Sequence, residues 1–258
     1  MIDLHCHILP GIDDGPTDIG ESLDMARQAV LDGIHTVVAT PHSQNGVYVN
    51  SNDDICRQVR EINRMLQDAG VPLVVLSGAE EHIRPDMGHA GKSYDISTIN
   101  NIGRYVLVEF PFMTVPHGAR EMLYRMKQRG LTPVLAHPER NAVIQRNIEI
   151  LYPFVESGCL TQITAMSLTG DMGEPAKSCA CRMVELRLAH VIASDAHSSG
   201  NRRPELSPAV ALAADILGSR QEAENMVLHT PQAIISGQAV HFQDPIKPLK
   251  KKRWFFGK

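Results

Sequence analysis

Asp3-Leu4-His5-Cys6-His7-Ile8-Leu9-Pro10-Gly11-Ile12-Asp13-Asp14-Gly15-Pro16 runs from an apolar segment carrying two histidines into an acidic, glycine-flanked turn. If the chain enters this stretch as a strand, Ile2–His5, alternation sets His5 and His7 on one face and Cys6 on the other. Two imidazoles on one face can share a divalent metal ion. Cys6 then points away from them as a packed core thiol. In the following turn Asp14 can supply a carboxylate, although Asp beside Gly also serves turn geometry alone.

Working outward, the same pattern repeats. Short β-branched runs at His35–Thr40, Leu73–Ser77, Tyr105–Glu109, Thr132–His137, Leu160–Ile163 and Val191–Asp195 read as six further strands. Amphipathic segments fill the gaps at Gly20–Asp32, Asp53–Ala69, Gly118–Gln128, Asn147–Glu156, Pro175–Leu188 and Pro208–Leu217. Gly33, Gly70, Gly130 and Gly158 follow four of these helices, where a left-handed residue closes the last turn. Strands interleaved with helices imply parallel pairing through right-handed crossovers, so the fold class is α/β and seven strands suggest a barrel or near-barrel. With no linker or internal repeat, residues 1–245 are expected to form one domain, followed by a tail at 246–258.

The residue types that bind metals fall in phase with these strands. His5 and His7, His42, Glu80, Glu109, His137, Asp195 and His197 all lie at or just beyond a strand end. In a (β/α) barrel those ends share one rim, where active sites are built. Of the adjacent pair Glu80-Glu81, only one can point inward, and Glu80 comes first after its strand. With Asp14 the set holds five histidines and four carboxylates. An octahedral ion takes no more than six ligands, several of them water, so the set points to two or three divalent ions sharing bridging carboxylates. Imidazole and carboxylate without thiolate suit Mn²⁺, Fe²⁺ or Zn²⁺. Such ions activate water and clamp both oxygens of an in-line displacement at phosphorus. Arg140 and Arg202, or its neighbour Arg203, offer forked donors for non-bridging phosphate oxygens.

The motifs D-L-H-C-H-I-L-P-G-I-D-D-G-P at Asp3–Pro16, A-T-P-H at Ala39–His42, G-A-E at Gly78–Glu80, H-P-E-R at His137–Arg140 and S-D-A-H at Ser194–His197 resemble the PHP (polymerase and histidinol phosphatase) superfamily. Within it they look most like the manganese-dependent bacterial protein-tyrosine phosphatases of the CpsB/CapC type, over essentially the whole of residues 1 to 240. The resemblance implies a distorted (β/α)7 barrel of the PHP type. It also implies a first metal held by His5, His7, Glu80 and Asp195, a second reached through Glu80 with Glu109 and His137, and a third held by Asp14, His42 and His197. Arg140 and the arginine after S-D-A-H would bind the phosphoryl group; Arg202 is preferred from its spacing to His197. The implied reaction is hydrolysis of phosphotyrosine without a phosphoenzyme. The implied partner is the tyrosine-rich tail of an autokinase controlling capsular or exopolysaccharide synthesis and export, with the membrane reached only through that kinase. The resemblance also allows a homo-oligomer, since relatives can be dimers or higher oligomers, and no feature of the sequence selects a state.

Composition sets bounds on the alternatives. Hydrophobic residues at 43%, charged residues at 21% and a formal net charge of −4 are ordinary for a globular chain and disfavour nucleic acid as a partner. That also counts against a 3′–5′ exonuclease, leaving histidinol-phosphate hydrolysis and a catalytically silent metal-bearing module as alternatives. Five cysteines without a CxxC pair, and an opening without a basic segment followed by an apolar one, lead to an expected cytoplasmic location. Cys181 to Arg187 fits C-x5-R, yet lacks the glycines that turn backbone N–H groups toward phosphate, and reads as helix. Among the other histidines, His82 and His117 follow site strands and are candidates for the substrate entrance. Tyr48 and Phe112 are candidates either for contact with an aromatic leaving group or for the core. The tail, with Lys250-Lys251-Lys252-Arg253 before Trp254-Phe255-Phe256, reads as a solvated terminus or a contact for an acidic partner or lipid surface.

Overall fold

A computed structural model describes residues 1–87 and 96–247. The elements run β1 (Ile2–Cys6), α1 (Ile19–Leu31), β2 (Thr36–Ala39), β3 (His42–Ser43), α2 (Asn52–Asp68), β4 (Val74–Ser77), β5 (Glu80–His82), β6 (Tyr105–Glu109), α3 (Ala119–Gln128), β7 (Thr132–Ala136), α4 (Ala142–Arg146), α5 (Tyr152–Glu156), β8 (Leu160–Thr164), α6 (Ala165–Thr169), α7 (Glu174–Glu185), β9 (Val191–Ala193), α8 (Ser207–Leu217), α9 (Arg220–Asn225) and α10 (His229–Ile235). All seven expected strands are present within a residue or two of their expected ends. The left-handed glycines also stand where the helix ends require them, with φ of +84° at Gly33, +67° at Gly70, +84° at Gly130 and +85° at Gly158.

Every strand pair is parallel, in two ladders: β1-β2-β4 and β3-β5-β6-β7-β8-β9. The ladders belong together because β3 continues β2 past Pro41, and β5 continues β4 past Gly78-Ala79. Proline lacks an N–H for the ladder, which accounts for the first break. At the second, a Cβ on Gly78 would stand 2.8 Å from Val38 Cγ1, so only glycine lets the two strands approach this closely. Between β9 and β1 there is no ladder, only the Cys6–Ala196 bridge, with the Asp195 N–H donating to His5 O and the His7 N–H to Ala196 O. The result is seven strand positions in barrel order with an interrupted seam.

Alternation along the strands separates two apolar clusters. Ile2, Leu4, Val38, Tyr105, Leu107, Val134, Ala136, Leu160 and Val191 fill the barrel interior, which Ile99, Ile234 and Ile235 close from below. Cys6, Val37, Val75, Val106, Val108, Leu135, Ile163 and Ile192 face outward and pack under the helices. Cys6 is fully buried among them, as the alternation predicts. In β1 the register slips by one residue between Asp3 and Cys6, so Leu4 and its neighbour His5 both turn inward.

Some expectations are revised. Asn147–Glu156 is a 3₁₀ turn, Ile148–Leu151, followed by α5, with Pro153 near the start of that helix removing a donor that a continuous helix needs. The short helices α4, α6, α9 and α10 are additions to the expected set. Cys181 to Glu185 lie inside α7, so C-x5-R is helical over its first five residues, and Arg187 stands past the helix end with φ +56°. The tail begins bound to the barrel, with Ile246 N–H donating to Leu186 O and Tyr152 Oη–H to Ile246 O. Lys247 pairs with Glu156, and the rest of the tail's basic and aromatic residues, within 248–258, lie outside the described residues. No helix among the described residues is long and apolar enough to cross a membrane.

Candidate metal centre

The barrel rim gathers the whole expected set. His5 and His7 come from the end of β1, His42 opens β3, Glu80 opens β5, Glu109 ends β6, His137 follows β7, and Asp195 and His197 follow β9. Asp14 reaches them from the turn after β1. That turn is held close because a Cβ on Gly15 would stand 2.5 Å from His7 O. His137 (φ +28°) and Asp195 (φ +53°) both adopt left-handed backbone, a strained conformation for these residues that the surrounding packing enforces.

Glu80 is the hub. Its Oε1 lies 2.7 Å from His137 Nε2, and its Oε2 lies 3.5 Å from His5 Nε2, 3.6 Å from His7 Nε2 and 3.0 Å from His42 Nδ1. Glu81 turns elsewhere, accepting from Ser97 N–H and Arg84 Nη1. Asp195 Oδ1 lies 3.3 Å from His5 Nε2 and 3.6 Å from His7 Nε2. Asp14 Oδ1 faces His42 Nε2 at 3.5 Å and His197 Nε2 at 3.4 Å. Glu109 sits 4.0 Å from His137 Nε2 and 3.4 Å from His82 Nδ1. Three overlapping sets have donor atoms close enough for one ion each: His7, Asp14, His42 and His197; His5, His7 and Glu80; and His42, Glu80 and Glu109.

The donor set suits cations. His5 Nδ1–H donates to Gln162 Oε1 at 3.0 Å, His7 Nδ1–H to Asp13 Oδ2 at 2.6 Å and His197 Nδ1–H to Asp195 O at 2.9 Å. Each bond leaves the Nε2 lone pair of its ring aimed at the cluster, the arrangement that orients metal-binding imidazoles. The bare His5 and His7 Nε2 atoms meet at 3.1 Å, where only a proton or a metal ion reconciles two lone pairs. Buried His42 Nδ1 and Glu80 Oε2 approach each other without hydrogen-bond geometry, and both lack a hydrogen-bond partner. Divalent cations would satisfy these atoms together.

Without a cation, protons balance the charge. Burial opposes ionisation of His7, but the hydrogen bond to Asp13 and the charges of Asp13 and Glu80 outweigh it and raise its pKa to about 10. In the same way burial works against Glu80, while His5 and His137 hold its carboxyl well below the usual range. Burial also works against Asp195, which His5, Arg202, His137 and Arg140 keep ionised. Contact with His197, and the neighbouring His7 and His42, hold the Asp14 carboxyl below the usual range against its partial burial.

Both arginines converge on one oxygen: Arg140 Nη1 is 2.5 Å and Arg202 Nη2 is 2.7 Å from Asp195 Oδ2. Arg202 Nε is a buried donor without a partner. Arg203 pairs instead with Glu205 on the surface, so Arg202 is the arginine the structure brings to the site. His117 is exposed and outside the cluster. Asp13 and Gln162 escaped the sequence reading. Asp13 is one of two adjacent aspartates in a turn, and Gln162 carries no mark that separates it from any glutamine in a buried strand.

Residues 1–236 match the profile of a family described as capsular polysaccharide synthesis, CpsB/CapC. The tyrosine-protein phosphatase YwqE of Bacillus subtilis is 38% identical over 255 residues, covering 99% of each chain. The putative tyrosine-protein phosphatase CapC of Staphylococcus aureus is 34% identical over 257 residues, again 99% of each. A crystal structure from work on YwqE and Streptococcus pneumoniae CpsB, described as unique metal-dependent tyrosine phosphatases, superposes with a TM-score of 0.90 at 38% identity, over 97% of this chain and 100% of that one.

Proposed function

From the chain's membership of the CpsB/CapC family of capsular polysaccharide synthesis, to which it belongs, we infer that it is a metal-dependent protein-tyrosine phosphatase. The observation that carries this reading is the convergence of five histidines, four carboxylates and two arginines on one rim. His5, His7, Glu80 and Asp195 would hold one ion, Glu109 and His137 a second through Glu80, and Asp14, His42 and His197 a third. Mn²⁺ is the proposed metal. When bound, such ions supply an acidified water and neutralise charge on the phosphoryl oxygens.

The chain's own groups account for the rest. Gln162 and Asp13 fix the tautomers of His5 and His7. Arg140 and Arg202, already turned toward the cluster, present forked donors to the non-bridging oxygens, and Arg202 Nε is free to complete a bidentate contact. Preorganised donors of this kind act on the charge that develops at phosphorus. A phenolate, whose conjugate acid has a pKa of about 10, leaves with less protonic help than an alkoxide. The proposed substrate is a phosphotyrosine-bearing protein in polysaccharide synthesis, specifically the tyrosine-rich tail of the cognate autokinase, met at the cytoplasmic side.

Phosphate release from a phosphotyrosyl peptide, with Mn²⁺ or excess chelator and with histidinol phosphate alongside, tests this reading. Chelator-sensitive release from the peptide is expected. Release from histidinol phosphate alone would overturn the substrate class.

A further inference from the structure

A centre built only to bind phosphate needs charge and hydrogen bonds, yet the two loops that border it carry apolar side chains in contact with water. Phe112 is 45% exposed and Met113 69%, on the loop between β6 and α3. Val47 is 77% exposed and Val49 73%, on the loop after β3. Leaving such surface in contact with water is unfavourable, so its placement calls for a reason.

Both loops are fastened to the site. Asn141, next to Arg140, donates to Pro111 O at 2.8 Å and Thr114 O at 2.9 Å, while Ala142 N–H donates to Phe112 O at 2.8 Å. The Phe112 ring stacks at 20° against His137, with centroids 5.7 Å apart, and the Arg140 guanidinium carbon lies 4.9 Å from its centroid. On the other loop, Asn50 donates to His42 O at 2.8 Å and to Ile12 O at 3.0 Å, and Ser43 Oγ–H donates to Asn50 O. Asn45 Oδ1 accepts from the N–H groups of Val47 and Tyr48. The Tyr48 ring lies parallel to His42 at 6.0 Å. One apolar loop therefore borders His42 and the other borders His137 and Arg140, each held by side-chain hydrogen bonds.

We propose that Phe112, with the Val47–Val49 loop, forms an apolar collar that grips the ring of an aryl phosphate and selects aryl over alkyl phosphomonoesters. The inference rests on the phosphotyrosine reading and adds the residues that recognise the ring. The phosphoryl group sits among the arginines and the histidine cluster, and the ring, which extends outward from it, meets the collar. Phe112 supplies an aromatic contact of the edge-to-face or offset kind. A serine or glycerol ester leaves the same surface wet.

Phenylphosphonate and methylphosphonate, which the enzyme cannot hydrolyse, separate ring recognition from phosphoryl recognition. Their dissociation constants are measured calorimetrically on Mn²⁺-loaded wild type, Phe112→Ala and Phe112→Tyr. In Phe112→Ala the preference for the phenyl compound should fall about tenfold, the loss of one aromatic contact, and Phe112→Tyr should retain it. Equal weakening of both ligands would show that Phe112 acts by steadying Arg140 and would overturn the collar, as would an unchanged preference. Hydrolysis of a phosphotyrosyl peptide is followed on the same wild-type preparation. Its absence would overturn the parent reading, whereas its presence with an unmoved preference overturns the collar alone.

Discussion

Asp13→Ala should weaken metal binding although Asp13 is not itself a proposed ligand. The side chain accepts from His7 Nδ1 at 2.6 Å, from Gly15 N at 2.9 Å and from His42 N at 3.1 Å. It therefore orients one ring, the turn that carries Asp14 and the backbone of another proposed ligand. Losing a partner of this kind costs roughly 10- to 100-fold in metal affinity, or about 1.4 to 2.7 kcal/mol. A second effect opposes it. With Asp13 gone, His7 loses much of what raises its pKa to about 10, so fewer protons compete with the metal at neutral pH. Competition against a calibrated chelator at two pH values separates the effects, because the proton contribution shrinks as pH rises and the orientation contribution does not. The affinity deficit of Asp13→Ala should accordingly be larger at pH 9 than at pH 7. Asp13→Asn, which keeps an acceptor but not the charge, should fall between. Affinity within about threefold of wild type at both pH values would refute the orienting role.

Two further expectations concern single residues. Arg202→Ala should lower kcat/KM on a phosphotyrosyl peptide about a hundredfold. Arg203→Ala, whose side chain is 57% exposed and pairs with Glu205, should stay within about twofold in the same steady-state assay. His190 is buried beneath the barrel, accepts from Thr161 N–H at 3.1 Å, and has its pKa lowered from 6.5 to about 4 by burial. Because the folded state refuses a proton that the unfolded chain takes up, its contribution to stability is complete above pH 6.5 and falls as pH drops toward 4, by about 3 kcal/mol. His190→Asn, which keeps an acceptor near Thr161, should remove that slope in urea unfolding followed between pH 7 and 4; parallel wild-type and variant profiles would contradict it.

The frame of this protein is legible because seven of its strands are short apolar runs rich in β-branched residues and α1, α2, α3 and α8 each end at a glycine, as at Gly33 and Gly130. The site is legible for a related reason. A parallel barrel turns distance along the chain into proximity at one rim, so a histidine or carboxylate just past a strand marks itself. Other features depend on packing between segments far apart in sequence. Asp13 and Asp14 are neighbours in one turn, and only contact with His7 and His42 shows that the first orients a ring while the second faces two others. Arg202 and Arg203 are separated in the same way, by contact with Asp195 as against Glu205. Local pattern also missed the resumption of β2 and β4 as β3 and β5, because Pro41 and Gly78 read as strand ends and the pairing beyond them comes from the adjoining strands. Phe112 is legible as an aromatic in a loop, but its exposure and its stacking on His137 are not.

The most direct test of the central claim is to count metal ions and phosphotyrosine turnover on the same samples, comparing wild type as isolated, after chelation and after Mn²⁺ is restored, with His42→Ala alongside. The account predicts more than one ion per active chain, turnover that disappears with the metal and returns with it, and a folded His42→Ala protein with nearly none. Undiminished turnover in metal-free protein, or in His42→Ala, would contradict it.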